Sequence, residues 1–227
     1  MKIALFGQGK MGQLIAQLAC SQGHTVVARF SKKHATFEEL KQADLALDFS
    51  HPTAVLTHVQ ACLAYQKPLI IGTTGWDTQV SDVRHLVEQG QIGCLAAANF
   101  SLGIHLFKSL VKQAATLFNP HPQYDVAAVE YHHRQKVDHP SGTALTLAEE
   151  IKRQMPRLQS LDFTSVRCGA IPGTHEILFD SFSDTITLTH QARNREGFAQ
   201  GALLAAEWLL PRQGYFTLDD FLQDILP

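Results

Sequence analysis

Short apolar runs alternate with amphipathic stretches along the first hundred residues of the chain. The runs have the length of strands and lie at Ile3–Phe6, Thr25–Arg29, Leu45–Asp48, Leu69–Ile71 and Ile92–Leu95. The stretches between them have the apolar spacing of helices and cover residues 10–21, 36–42, 52–65 and 77–89. Strands buried on both faces read as continuous apolar runs, and helices form the crossovers between parallel strands. The pattern therefore predicts a doubly wound parallel α/β sheet of the Rossmann type.

The pattern changes near residue 100, where a long amphipathic helix is predicted. Its apolar stripe consists of Leu106, Phe107, Leu110, Val111, Ala114, Leu117 and Phe118. Strand-like segments follow at Tyr124–Tyr131, Phe163–Cys168, Glu176–Phe179 and Thr185–Thr189. One helical segment, at about 142–154, interrupts them, so this part predicts an α+β domain built on an open mixed sheet.

Two domains follow from these patterns. We expect residues 1–100 to form a dinucleotide-binding domain. A helix over about 195–210 and the segment Phe216–Leu222 could return to that domain, so that residues from about 195 to 227 complete it. We expect residues 101–194 to form the second domain.

Composition and charge exclude several classes of protein. The 227 residues are 45% apolar and carry 19 basic and 21 acidic side chains, a formal charge of -2. This argues against a disordered chain and against binding to nucleic acid or an anionic membrane through bulk charge. No apolar run approaches the roughly 18 residues of a membrane-spanning helix. The four cysteines lack the spacing of a metal site, so we expect free thiols in a reducing, cytoplasmic compartment.

A glycine-rich turn directly follows the first predicted strand. The pattern G-x-G-x-x-G is formed by Gly7, Gln8, Gly9, Lys10, Met11 and Gly12, at the start of a predicted helix. Glycines allow the backbone to approach a pyrophosphate closely, and a helix N-terminus supplies unpaired N–H groups. We therefore predict that a dinucleotide binds here. The alternative is an ordinary glycine turn between a strand and a helix.

The charge after the second predicted strand favours NADPH over NADH. Arg29, Ser31, Lys32 and Lys33 lie there, and Glu38 is the first acidic residue after Thr25. A ribose 2′-hydroxyl needs a carboxylate acceptor, whereas a 2′-phosphate needs cationic and hydroxyl donors. The alternative is a solvated basic loop.

Two more segments follow the fourth and fifth predicted strands, where ligands gather in a parallel sheet. The candidate cofactor-binding residues are Gly72, Thr73 and Thr74 in the first segment and Ala97, Ala98, Asn99 and Phe100 in the second. The alternative for both segments is plain turn chemistry.

Residues 130–143 contain the highest density of titratable and cationic side chains in the sequence. Two adjacent imidazoles, a guanidinium and an ammonium occur there, at His132, His133, Arg134 and Lys136. Ser141, Gly142 and Thr143 then begin a predicted helix, so backbone and hydroxyl donors form an anion cradle beside titratable groups. The alternative is a polar surface loop with Ser141 as a helix N-cap. No metal site is expected, because adjacent histidines on a strand point to opposite faces and no carboxylate spacing completes a ligand set.

The segment E-x-H-H-x-x-K-x-D-x-P-S-G-T-A, which begins at Glu130, resembles the signature of the 4-hydroxy-tetrahydrodipicolinate reductase family. The resemblance covers essentially the whole chain. Supporting motifs occur in the family's order at 7–12, 48–50, 72–75, 97–101, 167–176 and 195–202.

The resemblance implies an NAD(P)H-dependent oxidoreductase that reduces 4-hydroxy-tetrahydrodipicolinate, a small dicarboxylate, to tetrahydrodipicolinate in lysine and diaminopimelate biosynthesis. It implies that His132 is the general acid/base, that Lys136 is a second catalytic residue, and that the substrate-binding groups are His133, Ser141, Gly142 and Thr143. It also implies a homotetramer built through the second domain's sheets. The chain departs from the family in a compressed stretch between the second and third strands, which lacks the acidic residue of many members.

Two rival interpretations remain. One is a related two-domain amine or aldehyde dehydrogenase, which would lack the His-His-Lys-Ser-Gly-Thr block. The other is a sensor that binds NADP(H) without turnover, and the presence of His132 and Lys136 counts against it.

Overall fold

The computed structural model describes residues 1–31 and 36–225, so Lys32 and Lys33 lie outside the described residues. The strands are β1 Lys2–Phe6, β2 Thr25–Phe30, β3 Leu45–Asp48, β4 Leu69–Ile71, β5 Gly93–Ala96, β6 Asp125–His132, β7 Phe163–Arg167, β8 Thr174–Asp180, β9 Thr185–Gln191 and β10 Gly214–Thr217. The α-helices are α1 Lys10–Ser21, α2 Val55–Ala64, α3 Val80–Gly90, α4 Leu102–Phe118, α5 Gly142–Gln154, α6 Glu196–Leu209 and α7 Leu218–Ile225. The chain divides into two compact units, Met1–Ser101 with Glu196–Pro227, and Leu102–Arg195.

The first unit is built on a six-stranded sheet in the order β10-β5-β4-β3-β1-β2. All of its strand pairs are parallel. β3 and β4 are buried along their whole length, as their mostly apolar sequences predict, and β3 ends in the buried carboxylate of Asp48. The predicted doubly wound parallel sheet is confirmed.

Three details of the first unit differ from the predictions. The helix predicted over 36–42 is a short 3-10 helix, Glu38–Gln42. The helix predicted over 52–65 begins as a 3-10 turn, Pro52–Ala54, because proline fits the first positions of a helix but cannot lie inside one. The strand β10 was missed, and it pairs in parallel with β5 at the edge of the sheet.

The second unit is built on a four-stranded mixed sheet in the order β7-β6-β8-β9. β6 runs parallel to β7 and antiparallel to β8, and β8 runs antiparallel to β9. Residues of α4 and α5 form one apolar cluster with one face of this sheet. On the other face most side chains are exposed or half-buried, among them Val129, Tyr131, Val166, Leu178 and Thr189, whereas Thr174 is buried. The predicted open mixed sheet is therefore confirmed.

The apolar stripe of α4 was predicted too broadly. The helix buries Ile104, Phe107, Val111 and Ala115. Leu106, Leu110 and Leu117 are 42%, 56% and 70% exposed. Each of these leucines precedes by one residue, about 100° of helical rotation, a position that faces the core or its edge. Hydrophobicity alone does not show how far around a helix the buried face extends.

The helix α6 packs against α1, β4 and β5 within the first unit, and a glycine allows one of its contacts. A Cβ atom on Gly201 would lie 1.8 Å from the carbonyl oxygen of Phe100. A Cβ on Gly197, in the same helix, would meet only the Ser101 hydroxyl at 3.8 Å, an ordinary contact.

We therefore expect Gly201→Ala to destabilise the protein by about 1–3 kcal/mol, because a rigid backbone oxygen must move to admit the methyl group. The matched control, Gly197→Ala, should be neutral or stabilising by up to about 1 kcal/mol, because alanine is the better helix former. Thermal unfolding of both variants tests this. Equal unfolding temperatures for the two variants would contradict it.

Candidate active site

The glycine turn after β1 has three different local environments. Gly7 has a φ of 98°, and a Cβ there would lie 2.2 Å from the Phe49 carbonyl oxygen. A Cβ on Gly12 would lie 2.2 Å from the carbonyl oxygen of Gly7. A Cβ on Gly9 would meet nothing within 4 Å. Packing therefore requires the first and third glycines, whereas the second leaves the turn open toward a ligand.

The start of α1 provides donors for an anion. Gly9 is the N-cap residue and offers no side-chain hydrogen bond to the helix. The N–H groups of the first turn have no intrahelical acceptor in any α-helix, and they carry the positive end of its dipole. The open turn and these donors together fit the pyrophosphate of a dinucleotide.

The predicted cofactor-binding segments meet at the carboxyl edge of the sheet. A Cβ on Gly72 would lie 2.2 Å from the Phe49 ring. The Phe100 ring lies 6.0 Å from the Phe49 ring, measured between centroids. Phe49 itself follows β3, so the ends of three neighbouring strands gather around its ring. Of the remaining predicted residues, Thr74 and Ala98 are exposed, and Ala97 and Asn99 are half-buried.

The buried carboxylate of Asp48 connects the strand ends at this edge of the sheet through hydrogen bonds. The sequence analysis did not identify this residue. Asp48, at the end of β3, is 0% exposed. Its Oδ1 accepts hydrogen bonds from Ser50 Oγ at 2.5 Å and Thr73 Oγ1 at 2.8 Å. His58 Nδ1 lies 2.7 Å from the other oxygen. The predicted cofactor residue Thr73 therefore links the ends of β3 and β4. The motif that Asp48 forms with Phe49 and Ser50 was the sequence signal that could have identified this residue.

The residues predicted to select NADPH are only partly described. Arg29 is exposed near the end of β2, and its carbonyl oxygen accepts a hydrogen bond from the Gln8 amide at 3.3 Å. Ser31 is half-buried. Lys32 lies outside the described residues. The described part thus places Arg29 beside the glycine turn.

In the second unit a fully buried carboxylate, that of Glu130, joins three elements. Its Oε1 accepts hydrogen bonds from the Ser141 N–H at 3.1 Å, Ser165 Oγ at 2.7 Å and Arg167 Nη2 at 2.8 Å. Burial by itself would raise the pKa of Glu130, but the hydrogen bonds from Ser141, Arg167 and Ser165 outweigh it and hold the pKa at about 2. The carboxylate is therefore ionised at neutral pH.

Two imidazoles face the other oxygen of this carboxylate. His132 Nδ1 lies 3.4 Å from Glu130 Oε2, and His175 Nε2 lies 3.7 Å from it. Burial lowers the pKa of His132, and the charge of Glu130 partly offsets that effect. Burial also lowers the pKa of His175, to about 4. His175 is thus neutral at pH 7, and His132 is the more easily protonated of the two.

His132 is the last residue of β6, and His133 is the first residue after it. His132 is 6% exposed, and a Cβ on Gly173 would lie 3.1 Å from its Nε2. Because Gly173 carries no side chain, its backbone can lie close to this edge of the ring. His133 is half-buried, and its backbone N–H donates to Ile171 at 2.8 Å.

The loop after β6 brings a lysine to the start of α5. Lys136 Nζ lies 2.8 Å from Asp138 Oδ1. The Lys136 hydrogen bond is the main cause of a lowered pKa of Asp138, and a hydrogen bond from the Gly142 N–H adds to it. A carboxylate of the protein itself therefore contacts the predicted catalytic residue Lys136 and the predicted substrate-binding residue Gly142.

The three cradle residues differ in their availability to a ligand. Ser141 is 2% exposed and is the N-cap of α5, because its Oγ accepts a hydrogen bond from the Ala144 N–H at 3.2 Å. Its own N–H is bonded to Glu130. Gly142 is exposed with open space around its Cβ position, and Thr143 is half-buried. Ser141 is therefore the N-cap of α5 in the structure, which was the alternative to its role in the anion cradle.

The sequence argument against a metal site overlooked one grouping. Glu130, His132 and His175 offer ligand atoms that all lie within 4.8 Å of one another. Glu130 and His132 share a face because they are two residues apart on β6, and His175 lies directly opposite Glu130 on β8. However, the Arg167 guanidinium already neutralises the Glu130 carboxylate, and its charge opposes a further cation.

A parallel sheet with an open glycine turn, and a second sheet that carries a carboxylate–imidazole cluster beside a lysine, define a two-domain pyridine-nucleotide oxidoreductase. Among the described residues no helix is long and apolar enough to cross a membrane. The family models "Dihydrodipicolinate reductase, N-terminus" and "Dihydrodipicolinate reductase, C-terminus" match residues 1–100 and 103–222. The chain therefore belongs to the dihydrodipicolinate reductase family, as the resemblance predicted.

Individual relatives agree with this assignment. The 4-hydroxy-tetrahydrodipicolinate reductase of Christiangramia forsetii is 35% identical, over 99% of this chain and 99% of its own length. That of Zymomonas mobilis is 36% identical, over 98% and 97%. The dipicolinate-bound dihydrodipicolinate reductase of Paenisporosarcina sp. TG-14 superposes with a TM-score of 0.79 at 26% identity, covering 96% of this chain and 97% of its own.

The glycine turn generates a test that separates folding from cofactor binding. We expect Gly9→Ala to fold normally but to weaken NADPH binding about tenfold or more, a loss of about 1.4 kcal/mol, because its methyl group enters the open space of the turn. Gly12→Ala should instead lower the unfolding temperature, because its Cβ would overlap the Gly7 carbonyl oxygen. Fluorescence titration with NADPH and thermal unfolding measure the two effects. Unchanged NADPH affinity in Gly9→Ala would contradict the assignment of the turn.

Proposed function

We propose that this chain reduces 4-hydroxy-tetrahydrodipicolinate to tetrahydrodipicolinate with NAD(P)H, in lysine and diaminopimelate biosynthesis. The arrangement of His132 and Lys136 near the exposed start of α5 supports the proposal most directly, because it combines a proton donor with donors for a carboxylate. The names of the relatives support the same substrate. The unit Leu102–Arg195 is the proposed substrate-binding domain.

The chemistry of the substrate defines what the protein must provide. The substrate is a cyclic imine with two carboxylates and a 4-hydroxyl, and loss of water gives an alkene conjugated with the imine. The glycine turn fits a nicotinamide cofactor, which when bound supplies a hydride to ring C4. Ring C3 must then receive a proton, and the two carboxylates need cationic or N–H donors throughout.

His132 is the proposed proton donor for ring C3. Its Nδ1 faces the ionised Glu130, so the proton available for transfer is on Nε2, at the edge of the ring beside Gly173. Burial lowers the pKa of this imidazole and makes its protonated form a stronger acid, and the charge of Glu130 partly offsets that effect.

Lys136, Gly142 and Thr143 are the proposed carboxylate-binding donors, with His133 beside them. The contacts that Asp138 makes with Lys136 and Gly142 support this, because a carboxylate of the protein has the same chemistry as one of the substrate. We infer that the substrate replaces Asp138 on these donors, and that Ser141 acts by capping α5. Dipicolinate, a planar dicarboxylate, is bound in the structure of the Paenisporosarcina relative.

We expect His132→Ala and Lys136→Ala to lose turnover by about 10²-fold or more while they keep NADPH affinity, because both side chains serve the substrate. Loss of NADPH absorbance with freshly generated substrate measures turnover, and fluorescence measures cofactor affinity. If the wild-type chain binds NADPH but shows no turnover, the sensor interpretation replaces the reductase. Wild-type turnover in either variant would remove that residue from the mechanism.

The preference for NADPH is a further proposal, supported by Arg29 and Ser31 beside the glycine turn. A charge-assisted hydrogen bond to a phosphate contributes roughly 1.5–3 kcal/mol when well formed, and less at an exposed site.

We expect Arg29→Ala to lower kcat/KM for NADPH several-fold and to leave kcat/KM for NADH unchanged, because only NADPH carries the 2′-phosphate. Lys2→Ala is a matched control, since it removes an exposed cation at the opposite, N-terminal end of a neighbouring strand. Steady-state kinetics with both cofactors provide the test. Equal losses with both cofactors in Arg29→Ala would exclude a contact with the 2′-phosphate.

We also propose a homotetramer assembled through the second unit's sheet, and action in the cytoplasm. The exposed face of that sheet carries half-buried apolar side chains such as Val129, Tyr131 and Leu178. All four cysteines are free thiols, which suits a reducing compartment. A mass of one chain in solution would exclude the tetramer, and fractionation of cells would test the location.

A further inference from the structure

The two oxygens of Glu130 have different environments. Oε1 is saturated by the Ser141 N–H, the Ser165 hydroxyl and the Arg167 guanidinium. Oε2 is buried and has no hydrogen-bond partner among the described residues, and imidazole nitrogens of His132 and His175 lie 3.4 and 3.7 Å from it. An ion pair with Arg167 would need only one oxygen, so the orientation of Oε2 toward the histidines requires a separate explanation.

An ionised carboxylate can only accept hydrogen bonds, so it selects the protonation state of the ring that faces it. The Nδ1 of His132 must carry hydrogen to face Oε2 favourably. The other ring nitrogen, Nε2, is then the site at which the proton comes and goes. The same nitrogen lies beside Gly173.

We propose that Glu130 is the positioning residue of His132: its Oε2 fixes the ring with Nδ1–H inward and supports the protonated form that donates to the substrate. This rests on the proposed function, in which His132 is the proton donor. Neither the family signature nor the relatives' names assign this task to Glu130.

Other charged groups around His132 make such support necessary. Lys136 and Arg167 oppose its protonation, and burial opposes it more strongly. Glu130 and Asp138 favour protonation, but Asp138 is exposed on a loop and is paired with Lys136. His175, across the sheet, is neutral at pH 7 and contributes no charge. Glu130 is therefore the one buried anion among the described groups that act on His132.

The anchoring of Oε1 explains how the carboxylate can hold a ring in place. Its three donors come from β7 and from the start of α5, and each of them restricts rotation about the carboxylate. The Ser141 N–H also belongs to the helix start that carries the proposed carboxylate donors. One buried group thus sets the position of the acid relative to the cradle within the second unit.

The test is Glu130→Gln, which keeps the shape of the side chain and removes its charge. We expect the pKa of His132, measured by NMR titration of the substrate-free protein, to fall by about one unit or more. The high-pH limb of the kcat/KM profile should move to lower pH by the same amount, because the protonated ring is the active form. NADPH affinity should be unchanged, since Glu130 lies in the second unit.

Two further variants keep the test decisive if Glu130→Gln fails to fold. Glu130→Asp keeps the charge but moves it away from the ring, so we expect a reduced kcat with a smaller shift of the limb. Ser165→Ala removes one of the three donors to Oε1 and keeps the other two and the charge of Glu130, so it should lower the unfolding temperature and move the limb less than Glu130→Gln does.

An unchanged pKa of His132 in Glu130→Gln would overturn the proposal, as would a Glu130→Asp variant with wild-type kcat and pH profile. A shift of the limb in Ser165→Ala equal to that in Glu130→Gln would also overturn it, because the effect would then be general loosening. If the NMR pKa falls but the kinetic limb does not move, Glu130 controls the ring and the assignment of His132 as the proton donor fails instead.

Discussion

A buried carboxylate must be compensated by donors, and the second unit is organised around that requirement at Glu130. Removing an ionised carboxylate from water costs many kcal/mol unless hydrogen bonds and charges replace the lost hydration. Here the replacement comes from a strand on one side, through Ser165 and Arg167, and from a helix start, through Ser141. The position of α5 over the sheet, and with it the anion cradle, depends on that compensation.

The first unit applies the same principle with different partners. Asp48 is as deeply buried as Glu130, but an imidazole and two hydroxyl groups surround it instead of a guanidinium. His58 also stacks on Phe6, with 4.0 Å between ring centroids, so the carboxylate is tied to the aromatic core beside β1. In each unit a polar group at a strand end, rather than apolar packing alone, determines how the loop beside the site is held.

The fold was largely predictable because its strongest signals are local. Apolar runs identified β3 and β4 with the observed bounds, since strands buried on both faces are mostly apolar, and Asp48 is the one polar residue in them. The strand β10 was missed because Gly214–Thr217 is short and only half-buried, and it exists only because β5 offers an unpaired edge. The helix over 36–42 was overestimated, since a few helix-forming residues do not ensure a full α-helical turn.

The candidate site was predictable only where its residues are neighbours in sequence. The loop from His132 to Thr143 was identified as a unit, whereas Ser165, Arg167 and His175 approach Glu130 only through strand pairing.

The folding order of the chain shows a further effect of long-range pairing. Because β10 and α6 follow the entire second unit in sequence, β5 remains an unprotected edge strand on the ribosome until β10 emerges. During synthesis the second unit, which is continuous, can complete its sheet before the first unit does.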